Sequence, residues 1–277
     1  MSYVKNAGRW LAVFLAVTIG TMVGGILGQA VFHPVLPPVP PHDGPLDVMP
    51  ALLVVSAIFA ALLSLIASRL RGSFWTRALV LFGIVYTIST VQSLNEAVYF
   101  REYVKLPMSG IYMSALGNLI RDALSACIAA WLWRGAEGDA ERFTGLWWRV
   151  ALIIPVYIVL YFGAGAWIAF QGETLRAYYD QGAHIDEKPL ALFQVLRSMI
   201  WSAAAFVAVR QMTGSGWSRA LIVGLSFSLF MAVVLFIPAG FMPWDVRKFH
   251  MVEIGTSNLI FGFIAASILL GGRKKSA

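Results

Sequence analysis

The chain has 277 residues, of which 59% are hydrophobic and only 13% are charged, and its mean hydropathy is +0.74. These values lie well outside the range of soluble globular domains and predict a polytopic membrane protein. The formal net charge of +7 follows from the distribution of Lys and Arg around a membrane, so it does not require a nucleic-acid partner.

Eight apolar segments alternate with charged or proline-rich breaks, and each is about 20 residues or longer, enough to cross a hydrocarbon core of about 30 Å. The segments cover residues 10–32, 48–68, 75–99, 111–133, 147–170, 189–211, 217–241 and 248–271. Strands of a β-barrel would be shorter and would alternate, so the pattern favours an all-α bundle of eight transmembrane helices. The first apolar run is longer than the core of a signal peptide, and we interpret it as a retained helix.

The first segment carries Gly20, Gly24 and Gly28 at intervals of four residues, which makes a smooth stripe where a neighbouring helix can approach closely. The connection that follows, residues 33–45, has six prolines in thirteen residues. Because proline lacks the N–H that a helix needs, this connection is predicted to be extended, either as a spacer or as a docking site for a partner.

Lys and Arg are divided unevenly between the two sets of connections, and this bias predicts orientation. One side carries thirteen of them: Lys5, Arg9, Arg69, Arg71, Arg77, Arg134, Arg142, Arg149, Arg210, Arg219, Arg273, Lys274 and Lys275. The other side carries six: Arg101, Lys105, Arg176, Lys188, Arg247 and Lys248. Both termini are therefore predicted to be cytoplasmic, and the expected location is a bacterial cytoplasmic (inner) membrane.

Short matches in the same order along the chain indicate an internal repeat. The stretch "SFWTRALVLFG" at 73–83 resembles "SGWSRALIVGL" at 215–225, and a slip of two residues then aligns a later pair. The aligned pairs are Trp75 with Trp217, Arg77 with Arg219, Asn118 with Asn258, and Arg69 with Arg210. We predict two duplicated four-helix halves, residues 1–140 and 141–277, related by an axis along the membrane normal. The Trp rings are expected at headgroup level, with the adjacent Arg side chains in cytoplasmic water.

Polar side chains recur on one face of several segments, which predicts that these faces point into the protein. Arg121 and Asp122 lie at the middle of the fourth segment, where each costs about 2.5–3.5 kcal/mol to insert. The candidate ligand-binding residues are Asn118, Arg121 and Asp122 of the fourth segment, Gln92 and Glu96 of the third, Arg197 of the sixth and Glu253 of the eighth. Three of them belong to the outer half of the membrane, so the set predicts a polar pocket that opens to the outside.

Sequence neighbours lie about 100° apart on a helix, so Arg121 and Asp122 are not expected to face each other. One interpretation is a structural lock, with Arg121 paired to Glu96 or Glu253 and Asp122 paired to Arg197. The other interpretation is a ligand or ion pathway. The internal repeat allows this, because the aligned positions of the second half lack these charges and packing of the repeated scaffold therefore does not require them. The aligned positions there are Phe261, Gly262, Val234 and Pro238.

Common catalytic and cofactor patterns are missing from the sequence, and neither a metal nor a cofactor is predicted. The histidines lie in connections or at a segment end, which argues against metal sites and haem ligation; they are His33, His42, His184 and His250. The sequence has no Walker-type glycine loop, and the single Cys127 has no histidine nearby in the membrane to activate it.

Three functions remain as hypotheses. The first is a transporter or lipid-handling carrier whose pocket holds a small amphipathic or lipid ligand, with Asp122 or Glu96 accepting a proton. The second is a non-catalytic subunit that docks a membrane-protein partner. The third is an intramembrane lipid-modifying enzyme that uses Glu96 or Glu253 as general base, with His250 near the outer surface. The midplane charges favour the first hypothesis.

Overall fold

The computed structural model describes residues 2–136, 138–180 and 187–273, and within these ranges eight helices are long and apolar enough to cross a membrane. They are α1 Tyr3–Phe32, α2 Val48–Ala67, α3 Phe74–Tyr99, α4 Met108–Leu132, α5 Leu146–Gln171, α6 Lys188–Gln211, α7 Gly216–Phe236 and α8 Trp244–Leu270. Two short helices, Arg101–Val104 and Glu173–Tyr179, lie in connections. The predicted all-helical fold with eight apolar helices is therefore confirmed, while His184, Lys274 and Lys275 lie outside the described ranges.

Local sequence explains several helix ends. Ser73 Oγ accepts a hydrogen bond from the backbone N of Thr76 at 3.3 Å, and Ser215 Oγ accepts one from Ser218 N at 3.2 Å. These bonds cap α3 and α7, because the first N–H groups of a helix have no carbonyl partner within it. At its other end α7 stops at Phe236, earlier than hydropathy predicts, because the following proline cannot continue the helical hydrogen bonds.

A π-helical turn, Thr87–Val91, interrupts α3 between its two α-helical parts. Such a turn widens the helix locally and changes which later side chains share a face with earlier ones. Ser89 lies within the turn, and Gln92 and Glu96 follow it.

The start of α1 and the end of α8 lie on one face of the bundle, which we call the terminal face. Arg9, near the start of the chain, lies over the Trp133 ring at the end of α4, with 5.3 Å to the ring centroid. The connection between α4 and α5 contributes Glu141, whose carboxylate pairs with three arginines on this face. They are Arg71 after α2, Arg219 in α7 and Arg273 after α8. The remaining connections form the opposite face.

The glycine stripe of α1 allows the close helix approach that the sequence predicted, and the structure shows that its partner is α4. A Cβ atom on Gly24 would overlap the carbonyl oxygen of Gly117, and one on Gly20 would lie 2.8 Å from the Cα of Arg121. The two backbones therefore approach as closely as glycine permits. α7 and α8 meet in a similar way, since a Cβ on Gly262 would lie 2.9 Å from the Cα of Gly224.

The first four helices contact the last four through α2 with α7 and through α3 with α6. In the membrane region, Phe59 of α2 meets Phe230 of α7 edge to face at 4.8 Å. On the terminal face the stretches after α2 and α6 run antiparallel, and Leu70 forms an isolated β-bridge with Met212. Two backbone hydrogen bonds flank this bridge, from Arg71 N to Gln211 O at 3.0 Å and from Thr213 N to Arg69 O at 2.8 Å.

The proline-rich connection docks onto its own chain at the start of α8. The carboxylate of Asp43 lies 2.6 Å from Nη2 of Arg247, and it accepts a hydrogen bond from the backbone N of Trp244 at 2.7 Å. Arg247 is only 1% exposed, so the contact is a buried one. This connection therefore does more than separate two helices, because it joins the α1–α2 link to the α7–α8 link.

The interfacial Trp and Arg pairs differ in part from the prediction. Trp75 and Trp217 are each 68% exposed, as expected of rings at a membrane interface. Arg219, however, is fully buried and donates from Nε to the carbonyl of Gly214 at 3.1 Å. The expectation that this arginine extends into water is wrong, because the carbonyl oxygens of Gly214 and Val209 and the Glu141 carboxylate bind its guanidinium.

Candidate functional site

Arg121 and Asp122 are each other's ion-pair partners in the middle of α4. Arg121 Nε lies 2.7 Å from Asp122 Oδ1, although the two residues are adjacent in sequence. The prediction that they do not face each other is wrong, because the long arginine side chain bends back to a carboxylate that the helix geometry alone would separate from it. Asp122 is fully buried and Arg121 is 6% exposed, so the pair is withdrawn from lipid and water alike.

Ser89 from the π turn of α3 completes this central group. Its hydroxyl donates to Asp122 Oδ2 at 3.1 Å and lies 2.8 Å from Nη2 of Arg121, which donates to it. Phe59 of α2 covers the guanidinium at 4.7 Å. Charge, hydrogen bonds and ring contact thus bind α2, α3 and α4 together, as expected of a structural lock. Asn118, half-buried one turn earlier, joins none of the hydrogen bonds of this group among the described residues.

A second polar group surrounds Arg197 of α6, nearer the opposite face. Its guanidinium binds the carboxylate of Glu96 in α3 with two contacts, Nη1 to Oε1 at 3.0 Å and Nη2 to Oε2 at 3.2 Å. Gln92 Oε1 accepts from Arg197 Nε at 3.3 Å. The predicted pairs of Arg121 with Glu96 and of Asp122 with Arg197 are therefore wrong. Arginine and carboxylate meet here in the bidentate geometry that is the strongest form of this contact.

Aromatic rings enclose the Arg197 guanidinium. Tyr157, Tyr161 and Phe193 lie 6.0, 5.9 and 5.7 Å from it, measured to the ring centroids. Arg197 is only 3% exposed, whereas the side chain of Glu96 is 28% exposed. The cation is thus deep, and its carboxylate partner lies between it and the protein surface.

Gln194, one turn before Arg197, leaves a polar atom without a partner in this group. Its Oε1 accepts from Arg197 Nη1 at 3.3 Å, but its Nε2 is buried with no hydrogen-bond partner among the described residues. A buried donor without an acceptor costs about 1–3 kcal/mol. The residue therefore offers a donor to any acceptor bound beside Arg197.

A third group on α8 adjoins the second. His250 Nδ1 lies 3.0 Å from Glu253 Oε2, and His250 Nε2 lies 3.0 Å from the hydroxyl of Tyr179 in the short helix Glu173–Tyr179. Burial first, and then the nearby charges of Glu96 and Glu253, raise the pKa of Tyr179, so its hydroxyl keeps its proton.

The seven candidate residues therefore lie in separate parts of the bundle. One group contains Gln92, Glu96 and Arg197, and Glu253 lies near enough for its charge to act on this group. The separate central lock contains Arg121 and Asp122. Sequence reasoning missed the aromatic residues that complete the second and third groups: Tyr157, Tyr161, Tyr179 and Phe193. A weak indication of Tyr157 and Tyr161 was present in the sequence, because they place two hydroxyl groups one helical turn apart in an apolar segment.

Comparison with protein-family models, with curated proteins and with solved structures gives no match for this chain. Its function is therefore argued from the geometry of the groups described above.

Proposed function

We propose that the protein is an integral membrane carrier that binds the anionic head of a small amphipathic or lipid-like molecule at Arg197. The observation that carries the proposal is the contact between Arg197 and Glu96, in which a buried guanidinium is covered by a partly exposed carboxylate. An arginine fork recognises carboxylate, sulfonate and phosphate groups through paired hydrogen bonds, so a ligand of this class can take the place of Glu96.

Neighbouring side chains support the same site. The unpartnered Nε2 of Gln194 supplies a further donor for an oxyanion, and the rings of Tyr157, Tyr161 and Phe193 supply an apolar lining for a short chain. In this proposal Glu96 competes with the ligand for Arg197, and protonation of Glu96 favours the bound state. The central lock of Arg121 and Asp122 supports the fold and does not contact the ligand.

The Lys and Arg bias supports a location in a bacterial cytoplasmic membrane with both termini inside, and the Arg197 group would then open outward. Local geometry also supports the duplicated halves, residues 1–140 and 141–277. Leu70 bridges to Met212, and this pair has the same separation of 142 positions as Trp75 and Trp217. A residue that pairs with its own equivalent lies beside a two-fold axis, which fits two halves related along the membrane normal.

A binding and flux experiment tests the carrier. Decyl sulfonate, a permanently charged amphipathic anion, is titrated against the purified protein by native mass spectrometry, and its exchange across proteoliposomes is followed with a radiolabel. The wild type is expected to bind and exchange it. The Glu96→Gln/Arg197→Gln variant is expected to do neither, because it has no guanidinium for the anion, and the isosteric Glu96→Gln avoids leaving a carboxylate without its cation.

The matched control is Arg121→Gln/Asp122→Asn, which neutralises another buried ion pair in the same bundle and should leave binding intact. Dodecyltrimethylammonium, a cationic amphiphile, should not bind at this site. Equal loss in both double variants, or equal binding of the cation, would contradict the proposal.

A second function, a lipid-modifying enzyme, is favoured by one observation, the chain of Tyr179, His250 and Glu253. A histidine held at Nδ1 by a carboxylate has its other nitrogen oriented to act as a base. Tyr179 keeps its proton and so is a donor rather than a nucleophile. Incubation of the reconstituted protein with radiolabelled phospholipids tests this function: a product made by the wild type and lost in His250→Gln would support it.

A further inference from the structure

Two loops on the terminal face have the same sequence pattern and the same internal hydrogen bonds. Gly72 and Gly214 both adopt positive φ, at +95° and +116°, and each is followed by the capping serine of the next helix. An arginine five residues after each glycine donates back to its carbonyl oxygen, Arg77 at 2.5 Å and Arg219 at 3.1 Å. The two loops are therefore equivalent sites within one chain, and they can be compared directly.

The loop of the second half contacts a carboxylate from the connection between α4 and α5. Glu141 Oε2 lies 2.8 Å from Arg219 Nη1 and 3.1 Å from Arg273 Nε, and its Oε1 lies 3.0 Å from Nη2 of Arg71. A three-arginine site there is therefore neutralised from within the chain. This arrangement shows what the site accepts, which is an oxyanion held by guanidinium groups.

The loop of the first half has an open cavity instead. A space of about 440 Å³ is lined by Gly72, Phe74, Arg77, Trp131, Arg134 and Ala136 among others. Arg77 uses two of its N–H groups on the carbonyls of Gly72 and Ala130, and neither Arg77 nor the exposed Arg134 has a carboxylate partner among the described residues. Among the described residues, the lining thus combines two cations without an anion.

We propose that this cavity binds a phosphate group, and that an anionic phospholipid is its source. Guanidinium groups match phosphate oxygens in geometry and charge, and basic pockets between helices at a membrane surface bind lipid headgroups. Trp131 is 68% exposed at the cavity edge, which places the cavity at the depth where aromatic rings meet headgroups. The site lies on the terminal face, away from the Arg197 group, and does not depend on the carrier function.

Native mass spectrometry of the full-length protein tests the site with two probes, phosphatidylglycerol and phosphatidylcholine. The wild type is expected to retain phosphatidylglycerol in preference, and Arg134→Gln to lower its apparent affinity by about fivefold, the contribution of one arginine near a headgroup. Arg134 is exposed, so this variant should fold. The control is Arg142→Gln, which removes the same charge from an exposed position on the same connection, outside the cavity lining.

Inorganic phosphate distinguishes the source. If phosphate alone raises the thermal midpoint of the wild type but not of Arg134→Gln, and phosphatidylglycerol shows no preference, the phosphate site stands and its ligand is soluble. An equal loss of lipid in Arg134→Gln and Arg142→Gln would show only general surface charge and would overturn the proposal. The absence of any effect with either probe would also overturn it.

Discussion

Arg121 lies over the ring of Phe59 with its Cζ atom 4.7 Å from the ring centroid. Phe261, the residue that the sequence alignment sets against Arg121, meets Trp201 edge to face at 6.3 Å. Trp201 follows Phe59 by the same 142 positions that separate Trp75 from Trp217. Of these two aligned contacts, one therefore uses a charged side chain and the other uses apolar rings.

The first prediction concerns this charged position. Asp122→Ala leaves the guanidinium of Arg121 buried without its carboxylate, and the expected loss of unfolding free energy is about 3–5 kcal/mol. The double variant Arg121→Met/Asp122→Ala should recover most of the loss, because a buried ion pair can be replaced by apolar side chains at little cost. Denaturation in detergent measures both values. A double variant as unstable as the single one would show that the pair itself stabilises the bundle.

The second prediction concerns the close approach of α1 and α4. Gly24→Ala places a methyl group against the Gly117 carbonyl, and it should cost about 1–3 kcal/mol because the helices must separate. Gly25→Ala is the matched control, since its Cβ would meet nothing within 4 Å. The control should be neutral or slightly stabilising, because alanine favours a helix. Equal thermal midpoints for the two variants would contradict this packing.

The third prediction concerns the docked proline-rich connection. Asp43→Ala removes the partner of buried Arg247 and the cap on the Trp244 N–H, so it should lower stability and expose residues 33–45 to protease. Asp47→Ala is the control, because Asp47 precedes α2 without a side-chain cap. Limited proteolysis followed by mass spectrometry should show faster cleavage in the first variant alone. If the two variants are cleaved at the same rate, Asp43 does not hold the connection in place.

The fourth prediction concerns the pH dependence of the Glu141 contacts. Burial alone would raise the pKa of Glu141, but the hydrogen bond from Arg219 and the charges of Arg219, Arg273 and Arg71 lower it below its ordinary value of 4.5. Because the pKa of Glu141 is lower in the folded state, its ionised carboxylate stabilises the folded protein at pH values above 4.5. This stabilisation is lost as the pH falls through the lowered pKa.

Glu141→Gln should therefore lower the thermal midpoint at pH 7, and the difference from the wild type should shrink as the pH falls below 4.5 and through the lowered pKa. Asp139→Asn, at an exposed position on the same connection, should shift the midpoint little at either pH. A difference between Glu141→Gln and the wild type that stays constant with pH would exclude the charge of Glu141 as its cause.

Sequence alone was sufficient to predict the helices and the faces that enter the core. Long apolar segments and helical periodicity report burial directly, which is why Gln92, Asp122 and Arg197 were expected inside the protein and lie there. Sequence alone could not predict which carboxylate each arginine binds, because the long arginine side chain can reach several carboxylates and only tertiary packing selects one. Arg121 therefore pairs with its neighbour, and Glu96 pairs with Arg197.

The π turn of α3 explains how one helix can serve two polar groups. Ser89 hydrogen-bonds to α4, whereas Gln92 and Glu96, immediately after the turn, bond to α6. The turn holds one residue more than a regular α-helical turn, so the outer part of α3 is set back by about 100° relative to an uninterrupted helix of the same sequence. In such an uninterrupted helix Ser89, Gln92 and Glu96 would share one face, so a single inserted residue sets the angular phase between the end of α3 that contacts α4 and the end that contacts α6.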